Sequence, residues 1–255
     1  DYEPYAKDRD GEIEELLNIH GIPLMTYKDQ CIFEKDEVVK NDGGPYTVFT
    51  PYSRKWHERL NIKETDEHVR SYPVEQHAGN LLEVKKPFTI PSLEQMGFEP
   101  ARQEFPERKV AKSILEKYGE QRDLPAVQGT TRISVHLRFG TVSIRQLARR
   151  GLQHSYKWLN ELVWRDFYMQ ILHHFPHVEN ANFNSKYNNI NWRNNQDEFE
   201  AWCQGRTGYP IVDAGMRELN ATGFMHNRIR MVTASFLTKH LLIDWRWGEA
   251  YFARK

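Results

Sequence analysis

The sequence predicts a mainly helical protein in which a helical domain follows the end of an α/β layer and a long linker. Near the beginning of the chain a helical pattern is followed by a strand pattern, as in an α/β layer. Prolines without hydrophobic periodicity then occupy residues 61–103, and from about Pro106 onward apolar residues recur at helical spacing. We therefore expect three parts, at residues 1–60, 61–105 and 106–255.

The first part contains the patterns of two helices and one strand. Gly11–His20 is amphipathic and ends at a glycine, and Ile22–Tyr27 is the apolar run of a buried strand. Because proline favours the first turn of a helix, a second helix is predicted from Pro51 to Leu60. The connection from Asn61 to Gln103 is predicted to run over a surface.

The third part contains the patterns of six helices, followed by an aromatic-rich helical stretch at the end. Ser143 is a predicted N-cap, Gly151 a predicted stop, and Pro176 ends the longest helix. The predicted helices are Glu107–Tyr118, Ser143–Arg150, Ser155–Phe175, Asp197–Gln204, Pro210–Ala221 and Asn227–Ile243.

The composition is typical of a globular protein. Hydrophobic residues make up 39% and charged residues 27% of the 255 residues, and no apolar run approaches the ~18 residues of a membrane-spanning helix. Cys31 and Cys203 lack zinc-binding spacing, Pro176 separates the nearby histidines, and no signal peptide is visible. We therefore expect a reduced, cytoplasmic protein without a metal site.

The charges are distributed unevenly along the chain. Residues 1–105 have 13 Lys and Arg against 21 Asp and Glu, a net charge of −8, whereas residues 106–255 have 22 against 14, a net charge of +8. The basic part also holds six of the seven tryptophans. A basic, aromatic-rich segment suits a nucleic acid. The alternative, in which tryptophan fills a helical core and arginine covers its surface, stays open.

The longest predicted helix has an unusual face. Trp158, Glu161, Trp164 and Arg165 are spaced so that they share one side of a helix. A carboxylate between two tryptophans is costly unless it accepts a hydrogen bond, and a ligand with N–H groups and flat rings would supply one. The alternative is a surface glutamate beside half-buried aromatic rings.

A short segment before this helix suits phosphate. Thr130, Thr131, Arg132 and Ser134 bring hydroxyl groups and a cation together, which phosphate oxygens prefer. The segment matches neither of the common glycine-rich nucleotide loops, and a helix cap is the alternative.

A third group begins the last long predicted helix. Asn227 is followed by Arg228 and Arg230, and cations are unfavourable at a helix N-terminus. This conflict indicates an anionic partner. The alternative for Asn227 is helix capping.

Read in order, these segments resemble the DNA photolyase/cryptochrome family. The strings that carry the resemblance are RDLPAVQGTTRIS, WLNELVWRDFY and TGYPIVDAGMRELNATGFMHNRIRMVTASFLTKHLLIDWRWGEAYF. DYEPYAKDRD and GGPYTVFTPYSRKW resemble the end of the family's N-terminal antenna domain and its linker, so the resemblance covers nearly the whole chain. The form of WLNEL and the Asn after His226 are most similar to the class I cyclobutane pyrimidine dimer photolyases.

The resemblance assigns roles by position. The residues that match FAD-binding positions are Tyr118, Thr130, Thr131, Arg132, Ile133, Ser134, Trp158, Asn227 and Arg230. Those that match catalytic positions at the dimer are Glu161, Trp164 and Asn227. Those that match DNA contacts are Arg122, Glu161, Trp164, Arg165, Asn227 and Arg228. Trp192 and Trp245 match two members of the electron-transfer chain that photoreduces the flavin.

The implied fold is part of an all-helical FAD-binding domain, preceded by the end of a Rossmann-like antenna domain. The implied activity is that of a carbon–carbon lyase, in which light-driven electron transfer from reduced FAD splits pyrimidine dimers in DNA. Rival interpretations are a cryptochrome that signals without repair and a non-catalytic nucleic-acid-binding module. The identity of the antenna chromophore stays open.

The chain departs from the family in two respects. Phe224 stands where the family often has tryptophan. The chain is also expected to be an internal piece of a longer, monomeric parent that has no membrane association. The family's further flavin contacts would follow Lys255, so we expect this piece to bind FAD weakly, to repair nothing and to self-associate.

Overall fold

The computed structural model describes residues 2–60, 65–86, 89–100 and 105–255, and every regular element in these ranges is a helix. The α-helices are α1 (Pro4–Ile19), α2 (Phe49–Leu60), α3 (Thr65–Val69), α4 (Lys112–Gln121), α5 (Ser134–Arg138), α6 (Ile144–His154), α7 (Tyr156–His174), α8 (Gln196–Cys203), α9 (Pro210–Thr222), α10 (Asn227–Lys239) and α11 (Trp245–Ala253). The predicted mainly helical class is confirmed. Within these ranges, none of the helices has the length and apolarity needed to cross a bilayer.

The predicted strand at Ile22–Tyr27 is wrong. The segment has no strand partner in the described ranges, and Met25 and Tyr27 are 66% and 81% exposed. A strand is stable only when a neighbouring strand pairs with its backbone groups. The helix before it is longer than predicted, since α1 begins at Pro4 rather than Gly11.

The predicted stop at Gly151 is also wrong, because α6 continues to His154. Gly151 is buried, and a Cβ added there would lie 3.0 Å from Cβ of Leu159 in α7. The glycine therefore permits α6 and α7 to approach closely and does not end the helix. The predicted N-cap Ser143 is confirmed, since its side chain accepts a hydrogen bond from the N–H of Gln146.

The predicted long connection contains α3 and a 3₁₀ segment at Val74–Asn80. Parts of that connection, residues 61–64, 87–88 and 101–104, lie outside the described residues. The predicted boundaries at residues 60 and 105 stay predictions.

The contacts divide the chain into two compact units. Unit 1 comprises Asp1–Pro87, Glu107–Gly119 and Thr130–Ser185, and unit 2 comprises Phe88–Pro106, Glu120–Gly129 and Lys186–Lys255. The core of unit 1 is formed by α2, α4, α6 and α7, with Trp56 and Leu159 fully buried. The core of unit 2 is formed by α8 to α11 around the fully buried Trp202.

Candidate functional site

Helix α7 is the framework of the candidate site in unit 1. Ser155 caps its N-terminus by accepting a hydrogen bond from the N–H of Trp158. Trp158 is only 2% exposed, and its indole Nε1–H donates to Oγ1 of Thr131 at 3.4 Å. This bond brings together two of the residues predicted to hold FAD.

The segment 130–134 presents the predicted phosphate-binding groups. Thr130, Thr131 and Arg132 are half-buried, and Ser134 is exposed at the start of α5. Arg132 has a left-handed backbone with φ of +50°, which is uncommon for a residue other than glycine. Ile133 and Tyr118, the two other predicted contacts nearby, are buried in the same core cluster as Trp158.

Glu161 and Trp164 lie on the half-buried part of the α7 surface. The Trp164 ring stacks on Phe49 with ring centroids 3.4 Å apart and an angle of 4° between the planes. Tyr168, one turn further along, lies nearly parallel to Trp164 at 5.6 Å and is exposed. Phe49 and Tyr168 thus lie against Trp164, whereas Trp158, the other tryptophan of the predicted face, is buried in the core. The predicted ligand with flat rings stays a prediction.

Arg165 is engaged inside unit 1. Its guanidinium group donates to the backbone carbonyl of Gln30 and contacts Sδ of Met169 at 3.5 Å. Burial lowers the pKa of Arg165. Its predicted contact with DNA stays a prediction, and the structure gives it a second task, which is to hold the segment before α2 against α7.

Asp166 is a buried residue that the sequence analysis missed. Its Oδ2 accepts hydrogen bonds from the N–H groups of Ile32 and Phe33 at 3.1 and 3.2 Å and from Trp56 Nε1 at 3.0 Å. Burial nevertheless raises its pKa to about 6. A carboxylate among the apolar residues of the helix, directly before Phe167, is the signal that could have identified it.

His57 and Asn160 form a second polar contact behind α7. Nε2 of the buried His57 lies 2.9 Å from Oδ1 of Asn160, and Ser53 Oγ donates to the same oxygen at 3.3 Å. Because an amide oxygen only accepts, Nε2 of His57 carries the proton. Burial lowers the pKa of His57, which favours this neutral form. The contact fixes the residue directly before Glu161.

In unit 2 the candidate site lies at the start of α10. His226 is the N-cap, and its Nδ1 accepts a hydrogen bond from the N–H of Arg228 at 3.1 Å. Asn227 is therefore the exposed first residue of the helix rather than its cap. His226 is 5% exposed, and its Nε2 has no hydrogen-bond partner among the described residues.

Two predicted DNA-binding arginines share a carboxylate in unit 2. Asp123 Oδ1 accepts from Nε of Arg228 at 2.8 Å and from Nε of Arg122 at 3.4 Å. The hydrogen bond from Arg228, supported by both positive charges, holds the pKa of Asp123 below its usual range. The sequence analysis did not single out Asp123, although it stands directly after Arg122.

Arg230 lies at an apolar groove between α10 and α11. The groove has a volume of about 470 Å³ and is lined mainly by apolar side chains, including Leu237, Trp245 and Phe252. The guanidinium carbon of Arg230 lies 4.8 Å from the centre of the Phe252 ring. Within the described ranges, Arg230 forms no ion pair with a carboxylate, and burial lowers its pKa.

The two predicted electron-transfer tryptophans lie in neighbouring segments of unit 2. The N–H of Arg193 donates to the carbonyl of Leu242 at 2.8 Å, and the N–H of Asp244 donates to Oδ1 of Asn194 at 2.8 Å. These bonds join the residues after Trp192 to those before Trp245. Both rings are half-buried.

The cluster of histidines near the end of α7 is not arranged as a metal site. Nε2 of His174 lies 3.6 Å from Asp36, and α7 ends at His174. Across the described ranges, no three His, Cys, Asp or Glu side chains are grouped to hold a metal ion.

Two family models match the chain, and together they cover about two thirds of it. Residues 1–73 match the model described as DNA photolyase, and residues 158–255 match the FAD-binding domain of DNA photolyase. A deoxyribodipyrimidine photo-lyase of Synechococcus sp. is 37% identical to this chain in an alignment of 282 positions. The alignment covers 99% of this chain and 57% of the relative. The chain thus spans little more than half the length of this curated relative.

Solved structures show the same similarity. A bacterial class III photolyase from Agrobacterium tumefaciens has a TM-score of 0.77 and 31% identity, and the match covers 99% of this chain and 56% of that one. A cryptochrome from Synechocystis sp. PCC6803 has a TM-score of 0.73 and 27% identity, with 96% and 55% of the two chains covered.

Proposed function

Because the chain belongs to the DNA photolyase/cryptochrome family, we propose that it is the flavin- and DNA-binding part of an enzyme that repairs pyrimidine dimers in DNA with light. The observation that carries the proposal is the surface of α7, where the half-buried Glu161 and Trp164 are three residues apart and therefore lie on the same side of the helix. A base flipped out of a duplex needs a stacking ring and a hydrogen-bonding group in one place.

The residues present fit FAD. In unit 1, Thr130, Thr131 and Ser134 offer hydroxyl groups, and Arg132 offers a cation, to the pyrophosphate. In unit 2, Arg230 is a half-buried cation at a mainly apolar groove that Glu249 also lines, and no ion pair joins Arg230 to a carboxylate among the described residues. A buried cation without a counter-charge is costly, so it favours an electron-rich ligand or an acid nearby.

Five predicted site residues each have a defined part in the proposed reaction. When bound and reduced, FAD supplies the light-driven electron that splits the dimer. Trp164 packs against the dimer, and Glu161 accepts hydrogen bonds from N–H groups of its bases, which holds the dimer in position. The resemblance assigns Asn227, exposed at the start of α10 in unit 2, an amide contact with the substrate. Trp192 and Trp245 carry electrons that reduce the flavin before repair.

The DNA partner is proposed from the basic part of the chain. Arg122 and Arg228 contact phosphates, which fix the position of the duplex without reading its sequence. Similarity to deoxyribodipyrimidine photo-lyases supports a dimer as substrate. The class I assignment, the monomeric parent and the cytoplasmic location stay predictions.

The full-length protein tests this proposal. Its absorption spectrum is expected to show flavin bands, and illumination of the reduced protein with dimer-containing DNA is expected to restore intact pyrimidines. Glu161→Gln is the informative variant because it keeps the shape of the side chain but removes its charge. Flavin binding without any repair by the unmodified protein would contradict the proposal.

The cryptochrome alternative has its own support in the similarity to the Synechocystis protein. Light-dependent reduction of the flavin would be common to both functions, so it does not separate them. Repair of dimers in the same assay separates the two functions, because a purely signalling protein would leave the DNA unchanged.

A further inference from the structure

We propose that Asp123 sets the preference of this protein for dimer-containing over undamaged DNA, because it holds Arg122 and Arg228 together and repels phosphates elsewhere. The inference rests on the proposed function, since it takes both arginines as DNA contacts. It assigns a specificity-determining role to a carboxylate that itself repels DNA.

The geometry of the three side chains carries the first step. One oxygen of Asp123 accepts from Nε of both arginines, at 2.8 Å for Arg228 and 3.4 Å for Arg122. The two Nε atoms therefore lie no more than about 6 Å apart, a separation at which two positive charges repel each other. The carboxylate offsets this repulsion and keeps the two cations together as one group.

The backbone of Arg228 is fixed independently of its side chain. Its N–H donates to Nδ1 of His226, the cap of α10, at 3.1 Å. The arginine is thus held at both ends, by the cap at its backbone and by Asp123 at its guanidinium group. A cation fixed in this way is ready for a phosphate at a defined position.

Asp123 also weakens the binding of DNA whose phosphates are not held at defined positions on the protein. Undamaged DNA is bound mainly through its phosphates, in proportion to the positive charge of the protein surface. Asp123 lowers the formal charge of the three side chains from +2 to +1 and is itself exposed. Undamaged DNA therefore meets repulsion, whereas a flipped-out dimer holds the duplex where the ordered arginines contact it.

The ion pairs have little part in the stability of the fold. The side chains of Asp123 and Arg228 are 48% and 51% exposed, and pairs in such positions contribute little to folding. Asp123→Asn is therefore expected to fold normally, as circular dichroism can verify.

The test compares Asp123→Asn with a matched control in the same unit. Glu198 is also a carboxylate paired with an arginine, Arg193, at 2.8 Å, and Glu198→Gln makes the same change in net charge. Fluorescence anisotropy would measure the affinity of full-length protein for two short duplexes that differ only in one thymine dimer.

Asp123→Asn is expected to bind undamaged DNA roughly three- to tenfold more tightly, because one repulsive charge is removed. Its affinity for dimer DNA should stay the same or fall, so that the preference for the dimer decreases at least about threefold. Glu198→Gln should keep the preference of the unmodified protein.

Two results would overturn the inference while the proposed function stands. One is an unchanged preference in Asp123→Asn, including an equal gain on both duplexes. The other is the same loss of preference in Glu198→Gln, which would make net charge the cause. If the unmodified protein shows no preference for the dimer, the proposed function fails and the inference fails with it.

Discussion

Helices α7 and α10 both hold residues predicted to contact substrate, but their surroundings hold them in different ways. Helix α7 has 19 residues and is fixed from its buried side, where Asp166 accepts three hydrogen bonds. Helix α10 has 13 residues and also has a buried side, where Trp202 Nε1–H donates to the carbonyl of Thr233, but its beginning is held by the His226 cap and by the exposed ion pair of Arg228 with Asp123.

Because of this difference, we expect the residues that stabilise the fold to be separate from the residues that bind DNA. Substitutions on the buried side of α7 remove buried contacts and should alter the free energy of unfolding. Changes at the start of α10 affect exposed groups and should alter DNA binding while the fold stays intact. The predictions below test this separation, beginning with the largest expected effect.

Asp166→Ala is expected to lower the free energy of unfolding by about 3–5 kcal/mol. It leaves two backbone N–H groups and the Trp56 indole N–H buried without their acceptor. Denaturant unfolding at neutral pH measures the loss. Asp166→Asn is the control, because its amide oxygen can accept the same bonds. Its NH₂ group lies one turn from Gln170, whose buried amide has no hydrogen-bond partner among the described residues. An equal loss in both variants would contradict the acceptor role.

The second prediction concerns the pH dependence of stability. The pKa of Asp166 is raised to about 6 in the folded protein, above the value of 3.8 for a free side chain. The folded state thus binds the proton more tightly, and stability from this group is present below pH 4 and lost as the pH rises through 6. Relative to Asp166→Asn, the unmodified protein should lose up to about 3 kcal/mol over that interval. Parallel stability curves for the two proteins would contradict this expectation.

Residue spacing predicts more of the α7 surface than of the side that holds the helix. It places Trp158, Glu161 and Trp164 on one face, although the structure buries Trp158 and leaves the other two half-buried. Asp166 was missed because its partners lie more than 100 residues away in the sequence, and no local pattern shows such contacts. The strand at Ile22–Tyr27 was wrong for a related reason, since apolar runs do not reveal whether a pairing strand exists.

At α10 the sequence identified the charged groups but not their arrangement. Asn227 was weighed as a cap because asparagine favours that position, and histidine is a less common choice. The structure gives the cap to His226, which leaves Asn227 exposed. The ion pair of Asp123 with Arg228 joins residues 105 positions apart, so it could be found only in three dimensions.

The third prediction lies on the surface of α7, where binding rather than stability should change. Trp164→Ala is expected to weaken binding of dimer-containing DNA by the full-length protein by about 1–3 kcal/mol, the range for one base-stacking ring. Undamaged DNA should be little affected, since its bases stay stacked in the duplex. Phe49→Leu is the control, because it removes the ring stacked on Trp164 and leaves Trp164 in place. A loss of affinity that is equal for both DNAs would assign Trp164 to packing alone.

The smallest expected effect is at α10 and concerns salt. Arg228→Ala should reduce the slope of log K against log salt concentration by about 1, because one fewer cation is released from the phosphates. Its free energy of unfolding should change by less than about 1 kcal/mol, since the side chain is exposed and its ion pair is weak. Titrations of dimer-containing DNA at several salt concentrations measure the slope, and Arg193→Ala is the control for a paired, exposed arginine elsewhere in unit 2. An unchanged slope would remove Arg228 from the DNA contact. A large loss of stability would instead show that α10, unlike α7 with its buried Asp166, is held by a residue predicted to bind DNA, and the separation of stability from binding would fail.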